Sequence, residues 1–208
     1  VVLLVGAAAA AAALLAAALH WASTPAPEAA VQAPAALEPG GKTRGRPDAP
    51  VTVQVFSDFL CIHCATMGLE VKPALVAEFV EPGVVRLIYR HFPVLGPLSE
   101  AAALAGECAA AQQRFWAFHD AVFRRTARRT LRGPDDLTAA AREARLDTAA
   151  LAACQRTPAA RAGVDADRNE GLRRGVEGTP TLFVGNKKIV GAPPYEMLRG
   201  EIRAAQPR

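Results

Sequence analysis

Val51-Thr52-Val53-Gln54-Val55-Phe56-Ser57-Asp58-Phe59-Leu60-Cys61-Ile62-His63-Cys64 decides the fold. Its first six residues are rich in β-branched side chains and alternate, the pattern of a strand. Ser57 to Leu60 turns the chain, and Ala65 to Val80 reads as a helix. Two thiols two residues apart at a strand-to-helix junction form a redox motif.

The chemistry follows from where a helix would place each thiol. Cys61 falls at the N-terminal edge, where unpaired backbone N–H groups and the helix dipole favour an anion. A thiolate there is stabilised, and its pKa falls below the free value of about 8.5. His63 can add a donor or a positive charge. Cys64 lies a turn further in and is the less reactive thiol. Cys61 is therefore expected to exchange with a substrate sulfur and Cys64 to resolve the mixed disulfide. A stabilised thiolate also stabilises the reduced pair, which makes the disulfide form an oxidant. Asp58 and Glu70 are candidates for tuning the site or relaying protons.

Upstream, Val1 to Leu19 is apolar throughout. As a helix it would span about 28 Å, close to a bilayer core of about 30 Å. Residues 1–22 are read as a signal peptide or a membrane anchor. Either reading puts the rest of the chain outside the cytoplasm, where disulfides persist. Residues 23–47 hold five prolines and Gly40-Gly41, and read as an extended linker. Residues 48–208 remain for one α/β domain.

Downstream, Pro73 should kink the first helix. Val84 to Tyr89 is a second strand, and the β-α-β order implies parallel pairing. From about 97 to 175 the pattern is helical. Leu98 to Gln113 carries Cys108, and Phe115 to Phe123 has an aromatic face. Leu137 to Ala144 follows a Gly-Pro break, Asp147 caps a helix carrying Cys154, and Thr157 to Leu172 is the last helix. Phe115, Trp116, Phe118, His91 and His119 read as packing residues. Thr181 to Val184 and Lys187 to Val190 form a hairpin about Gly185-Asn186, and Tyr195 to Ala204 a terminal helix. Thr179-Pro180, before a strand, suits a loop with a cis bond. Pro180 has no N–H, so the Thr179 backbone is left to pair with an extended substrate.

The chain has 208 residues, a net charge of +4 and four cysteines. Charges of both signs are dispersed, which argues against a nucleic-acid partner. Arg124, Arg125, Arg128, Arg129 and Arg132 read as a solvated helix face, or as a patch for an anionic membrane. Cys108 and Cys154 are free buried thiols, a second redox pair or, as preferred in an exported chain, a structural disulfide. No metal site is expected, because Cys61, His63 and Cys64 lack further soft ligands with suitable spacing. A metal-delivery domain using those three residues is nevertheless a competing, non-catalytic reading.

The run from Gly45 to Val53, followed by Phe56 to Cys64, resembles the bacterial DsbA-like thioredoxin-fold oxidoreductases. Gly178 to Gly185 is similar to their cis-proline segment, and Gln113 to Asp120 to a helix of their inserted domain. The resemblance spans about Gly45 to Ile202. It implies a thioredoxin fold with a helical insertion before the cis-proline strand, no cofactor, and disulfide exchange with exported proteins outside the cytoplasm. It also implies reoxidation by a quinone-linked membrane partner. Many members have Pro after the first cysteine, where this chain has Ile62. That change alters rigidity and redox poise, and leaves a reductase or isomerase as the alternative.

Overall fold

The computed structural model describes residues 41–207. The expected signal peptide or anchor at residues 1–22, and the linker up to residue 40, lie outside the described residues. Within residues 41–207 no helix is long and apolar enough to cross a membrane.

Five strands form one sheet, β1 (Thr43–Arg44), β2 (Val51–Ser57), β3 (Val85–His91), β4 (Thr181–Val184) and β5 (Lys187–Val190), in the order β1-β3-β2-β4-β5. β2 and β3 are parallel, with Val53 opposite Leu87, as their helical crossover requires. β4 runs antiparallel to β2, with Val55 opposite Leu182, and hairpins into β5. This is the thioredoxin arrangement. Both faces of β2 are covered. Val51, Val53 and Val55 point into the main core, and Phe56 packs with Phe92, Val176 and Phe183 on the other side.

The crossover helix α1 covers residues 62–80. It opens as an α-helix over Ile62–Thr66, widens to π geometry at Met67–Val71, returns to α at Lys72–Leu75 and widens again at Val76–Val80. The departure from α geometry at Met67–Val71 falls in the turn before Pro73, where the kink was expected. Pro73 cannot donate a backbone hydrogen bond to the turn before it. The turn ahead of it shifts to wider bonding, with the Lys72 N–H donating to the Met67 carbonyl.

Between β3 and β4 the insertion contributes α2 (Pro97–Ala111), α3 (Phe115–Ala127), α4 (Pro134–Glu143), α5 (Thr148–Cys154) and α6 (Pro158–Arg173). Cys108 of α2 and Cys154 of α5 are joined by a disulfide. Asp147 caps α5, accepting from the N–H groups of Ala149 and Ala150. Arg124 and Arg125 pair with Glu143, whereas Arg128, Arg129 and Arg132 are exposed. The terminal helix α7 (Tyr195–Ala204) buries Leu198 and Ile202, and its Arg199 and Arg203 reach Glu78 of α1.

The domain begins earlier than its expected boundary at residue 48. Thr43 and Arg44 pair with Ile88 and Leu87 at the sheet edge. Lys42 Nζ lies 2.6 Å from both Glu107 of α2 and Asp167 of α6. Gly45 is in the left-handed region at φ +97°, and a Cβ there would stand 2.3 Å from the Val85 carbonyl oxygen. Glycine is what lets the chain pass this edge. A two-residue strand shows no alternation, so the segment looks like linker in the sequence.

Candidate active site

The end of β2 is fixed before the cysteines begin. Phe59 is fully buried, with its ring 5.2–6.4 Å from those of Tyr89, Phe115, Phe118 and Phe123. Each such aromatic pair adds roughly 0.5–1.5 kcal/mol beyond simple burial. The Thr126 hydroxyl of α3 donates to the Phe59 carbonyl at 2.6 Å. The helical insertion is thereby bound to the residue two before Cys61.

Asp58, one residue earlier, is also buried. Its carboxylate accepts from the backbone N–H groups of Leu60, Val94 and Leu95 and from the Ser99 hydroxyl. It therefore holds the active-site turn to the loop after β3 and to the start of α2, so its role here is positional. Asp58→Ala would leave three backbone donors and a hydroxyl without their acceptor. Hydrogen bonds to a charged group contribute about 1.5–3 kcal/mol each. Chemical denaturation should show a loss of at least about 3 kcal/mol; a loss under about 1 kcal/mol would contradict this role.

Cys61 is the N-cap of α1, with φ −76° and ψ 122°. Its sulfur accepts from the Cys64 N–H at 3.4 Å and lies 3.3 Å from the Thr179 carbonyl oxygen. Both thiols are free. Cys61 is 8% exposed and Cys64 is 1% exposed, so only the former borders solvent. The hydrogen bond from the Cys64 thiol is the largest influence lowering the Cys61 pKa, to about 6. Desolvation opposes that shift, while the N–H groups of Cys64 and His63 support it. Burial pushes the Cys64 thiol well up, and the nearby Cys61 sulfur adds to the effect. The two thiols are thus driven apart in acidity.

Facing them, the Thr179-Pro180 peptide bond is cis. Pro180 is buried, and its carbonyl accepts from the Gly191 N–H at 2.8 Å. His63 is exposed, and among the described residues its ring makes no hydrogen bond to Cys61. What it supplies to the site here is its backbone N–H. Glu70 is exposed on α1. One contributor went unnoticed in the sequence: the Ser57 hydroxyl hydrogen-bonds to Cys64 and pulls its pKa back down. Its signal was a polar side chain closing the strand directly before the cysteine turn.

Among the described residues, a grouping with metal-ligand character is His91, Glu107 and Asp167, whose donor atoms lie within 4.8 Å of one another. Lys42 already bridges the two carboxylates, and Arg90 reaches the second oxygen of Asp167 at 2.9 Å. Cys61, His63 and Cys64 are not part of it.

A family model described as thioredoxin matches residues 38–204. The chain belongs to the DsbA-like thioredoxin-fold family. A probable disulfide bond formation protein D of Bacillus cereus is 40% identical over 81 residues, 38% of each chain. The Na(+)/H(+) antiporter NhaA 3 of Salinispora tropica is 33% identical over 165 residues, 78% of this chain and 24% of that one. The aligned stretches thus span well under two thirds of these relatives. The crystal structure of oxidised BdbD from Bacillus subtilis superposes with a TM-score of 0.72 at 24% identity, covering 83% of this chain and 97% of that one. In this DsbA-like chain the insertion, the cysteine pair and the cis-proline loop meet at the end of β2.

Proposed function

We propose that this chain is an extracytoplasmic thiol-disulfide oxidoreductase that donates disulfides to exported proteins and is reoxidised by a quinone-linked membrane partner. The observation that carries the reading is the asymmetry of the two cysteines. Cys61 caps a helix beside a cis-proline loop with its pKa lowered to about 6, while Cys64 is buried and held protonated.

Cys61 and Cys64 are the reacting pair. Thr179 and Pro180 form the wall against which a substrate strand lies, and the Thr179 carbonyl beside the Cys61 sulfur is its backbone acceptor. A thiolate with a pKa of about 6 against a free value of about 8.5 stabilises the reduced form by about 1.4 kcal/mol at pH 7. For a two-electron couple this raises the potential by about 30 mV. The compartment rests on the apolar residues 1–19.

Two measurements on the reduced and oxidised protein test the direction. Alkylation of Cys61 should rise with pH to a plateau with a midpoint near pH 6, because the thiolate forms above that pKa. The potential of the pair should lie above the thioredoxin value of about −270 mV. A potential at or below that value would make the protein a reductase, the alternative that Ile62 keeps open.

A further inference from the structure

A cleft of about 330 Å³ lies beside the cysteine turn, lined by Leu60, Ile62, Thr126, Arg129 and Leu131. Leu60 and Ile62 bracket Cys61 in the chain, so the cleft begins at the residues on either side of the reacting thiol. Thr179 and Pro180 do not line it, which separates it from the cis-proline wall. Ile62 leaves 45% of its surface to solvent here. The other side of the cleft comes from the end of α3 and the loop that leads to α4. That loop is fixed to the site: the Thr126 hydroxyl donates to the Phe59 carbonyl at 2.6 Å. The Arg129 N–H donates to the Thr126 carbonyl, and the Thr130 N–H to the Arg125 carbonyl.

The charge of the cleft has one sign. Its lining holds one cation, Arg129, and no carboxylate. Arg124 and Arg125, a turn earlier, are engaged with Glu143. Arg129 is exposed and, among the described residues, makes no ion pair. It sits at φ +57°, just past the end of α3, a position where Gly or Asn is usual.

We propose that this cleft is a second substrate subsite, which favours exported polypeptides carrying an apolar residue and an aspartate or glutamate close to the reacting cysteine. The proposal rests on the exchange chemistry of Cys61 and Cys64 proposed above. A polypeptide whose sulfur reaches Cys61 must pass over the residues that bracket it. Where it leaves the Thr179 wall, the next surface it meets is Leu60, Ile62 and Leu131, with Arg129 beside them. An apolar side chain covers the three hydrophobic groups, and a neighbouring carboxylate meets the guanidinium, which can bind it through two parallel hydrogen bonds. A peptide fits this place better than an anionic bilayer does, because a membrane seated on Ile62 would cover the sulfur next to it.

Single-cysteine peptides in excess over the oxidised full-length protein test the subsite. The first peptide thiolate attacks the Cys61 sulfur, and the Cys61–Cys64 bond breaks with its electron pair left on Cys64. A second peptide thiolate attacks the mixed disulfide, giving the peptide dimer and the reduced pair. Acid quenching and mass spectrometry follow the loss of oxidised protein, with rates corrected for the titration of each peptide's own thiol. An exposed ion pair changes an equilibrium by up to about fivefold. Attraction of one peptide and repulsion of the other should therefore make a leucine-glutamate flank react about tenfold faster than a leucine-lysine flank. Raising the salt to about 1 M, where charges are screened within about 3 Å, should cut that ratio to under about threefold. Exchanging leucine for serine beside the glutamate should slow the reaction at least about threefold.

Arg129→Asn, which suits the left-handed backbone, should bring the charge ratio close to one, and Arg129→Glu should invert it. Arg145→Asn makes the same change at another exposed left-handed position, φ +57°, outside the cleft, and should keep the parent ratio. Equal parent rates for the acidic and basic peptides, or a parent ratio retained in Arg129→Glu, overturn the subsite. Equal rates together with weaker binding of Arg129→Glu to phosphatidylglycerol vesicles would make Arg129 a membrane contact instead. A parent disulfide that neither the peptides nor dithiothreitol reduces overturns the exchange reading on which the subsite depends.

Discussion

Cys61→Ser abolishes disulfide exchange, and Cys64→Ser leaves the protein joined to its substrates as stable mixed disulfides. Both outcomes follow from the positions of the two sulfurs. Cys61 borders solvent at the start of α1, receives the Cys64 N–H and titrates near pH 6. It is at once the sulfur an incoming thiolate can reach and the better leaving group. Without it no other free thiol is accessible, because Cys108 and Cys154 are tied together. Turnover should fall by several orders of magnitude. In Cys64→Ser the first exchange still occurs, but nothing inside the protein can attack the resulting bond. Incubation with reduced, unfolded protein under mild oxidation, followed by non-reducing electrophoresis and mass spectrometry, should give adducts through Cys61. Adducts in Cys61→Ser, and none in Cys64→Ser, would reverse the two roles.

The parts of this site that were legible in the sequence are those set by local rules. Two cysteines one helical turn apart after an alternating strand specify a helix cap and a second, more buried thiol wherever that helix packs. Gly178-Thr179-Pro180 ahead of an apolar strand announces a special backbone. What the sequence hid depends on contacts between distant segments. Lys72 is an unremarked lysine within a helical pattern until α3 brings Asp120, 48 residues later, against it. Asp58 could be singled out as a polar residue near the cysteines, but tuning and scaffolding look alike until its donors are seen. His119 reads as a packing residue, and it does pack, 4.6 Å from the Phe123 ring, while its Nδ1 lies 2.7 Å from Asp120. β1 escaped because two paired residues leave no periodic trace. The widening ahead of Pro73 is not encoded in the composition of a helix.

Replacing Cys108 and Cys154 together by Ser lowers stability by about 4 kcal/mol while sparing most of the exchange activity. The bridge closes a loop of 46 residues. In the chain-entropy account, opening such a loop restores roughly 4 kcal/mol of freedom to the unfolded chain. For a domain of this size 1 kcal/mol corresponds to about 2–4 °C, so the melting temperature should fall by roughly 8–16 °C. Activity should survive because the bridge ties α2 to α5, whereas the groups that hold the cysteine turn are Asp58, Ser99 near the start of α2, and Thr126 of α3. Cys108 is buried against the core and bridged to its partner, so neither sulfur is free to take part in exchange. Thermal unfolding and oxidative refolding assays on the same preparation separate the two effects. A folded double variant with normal melting but lost exchange would make the pair a second redox centre. Normal exchange with a lower melting temperature assigns it to holding the insertion together.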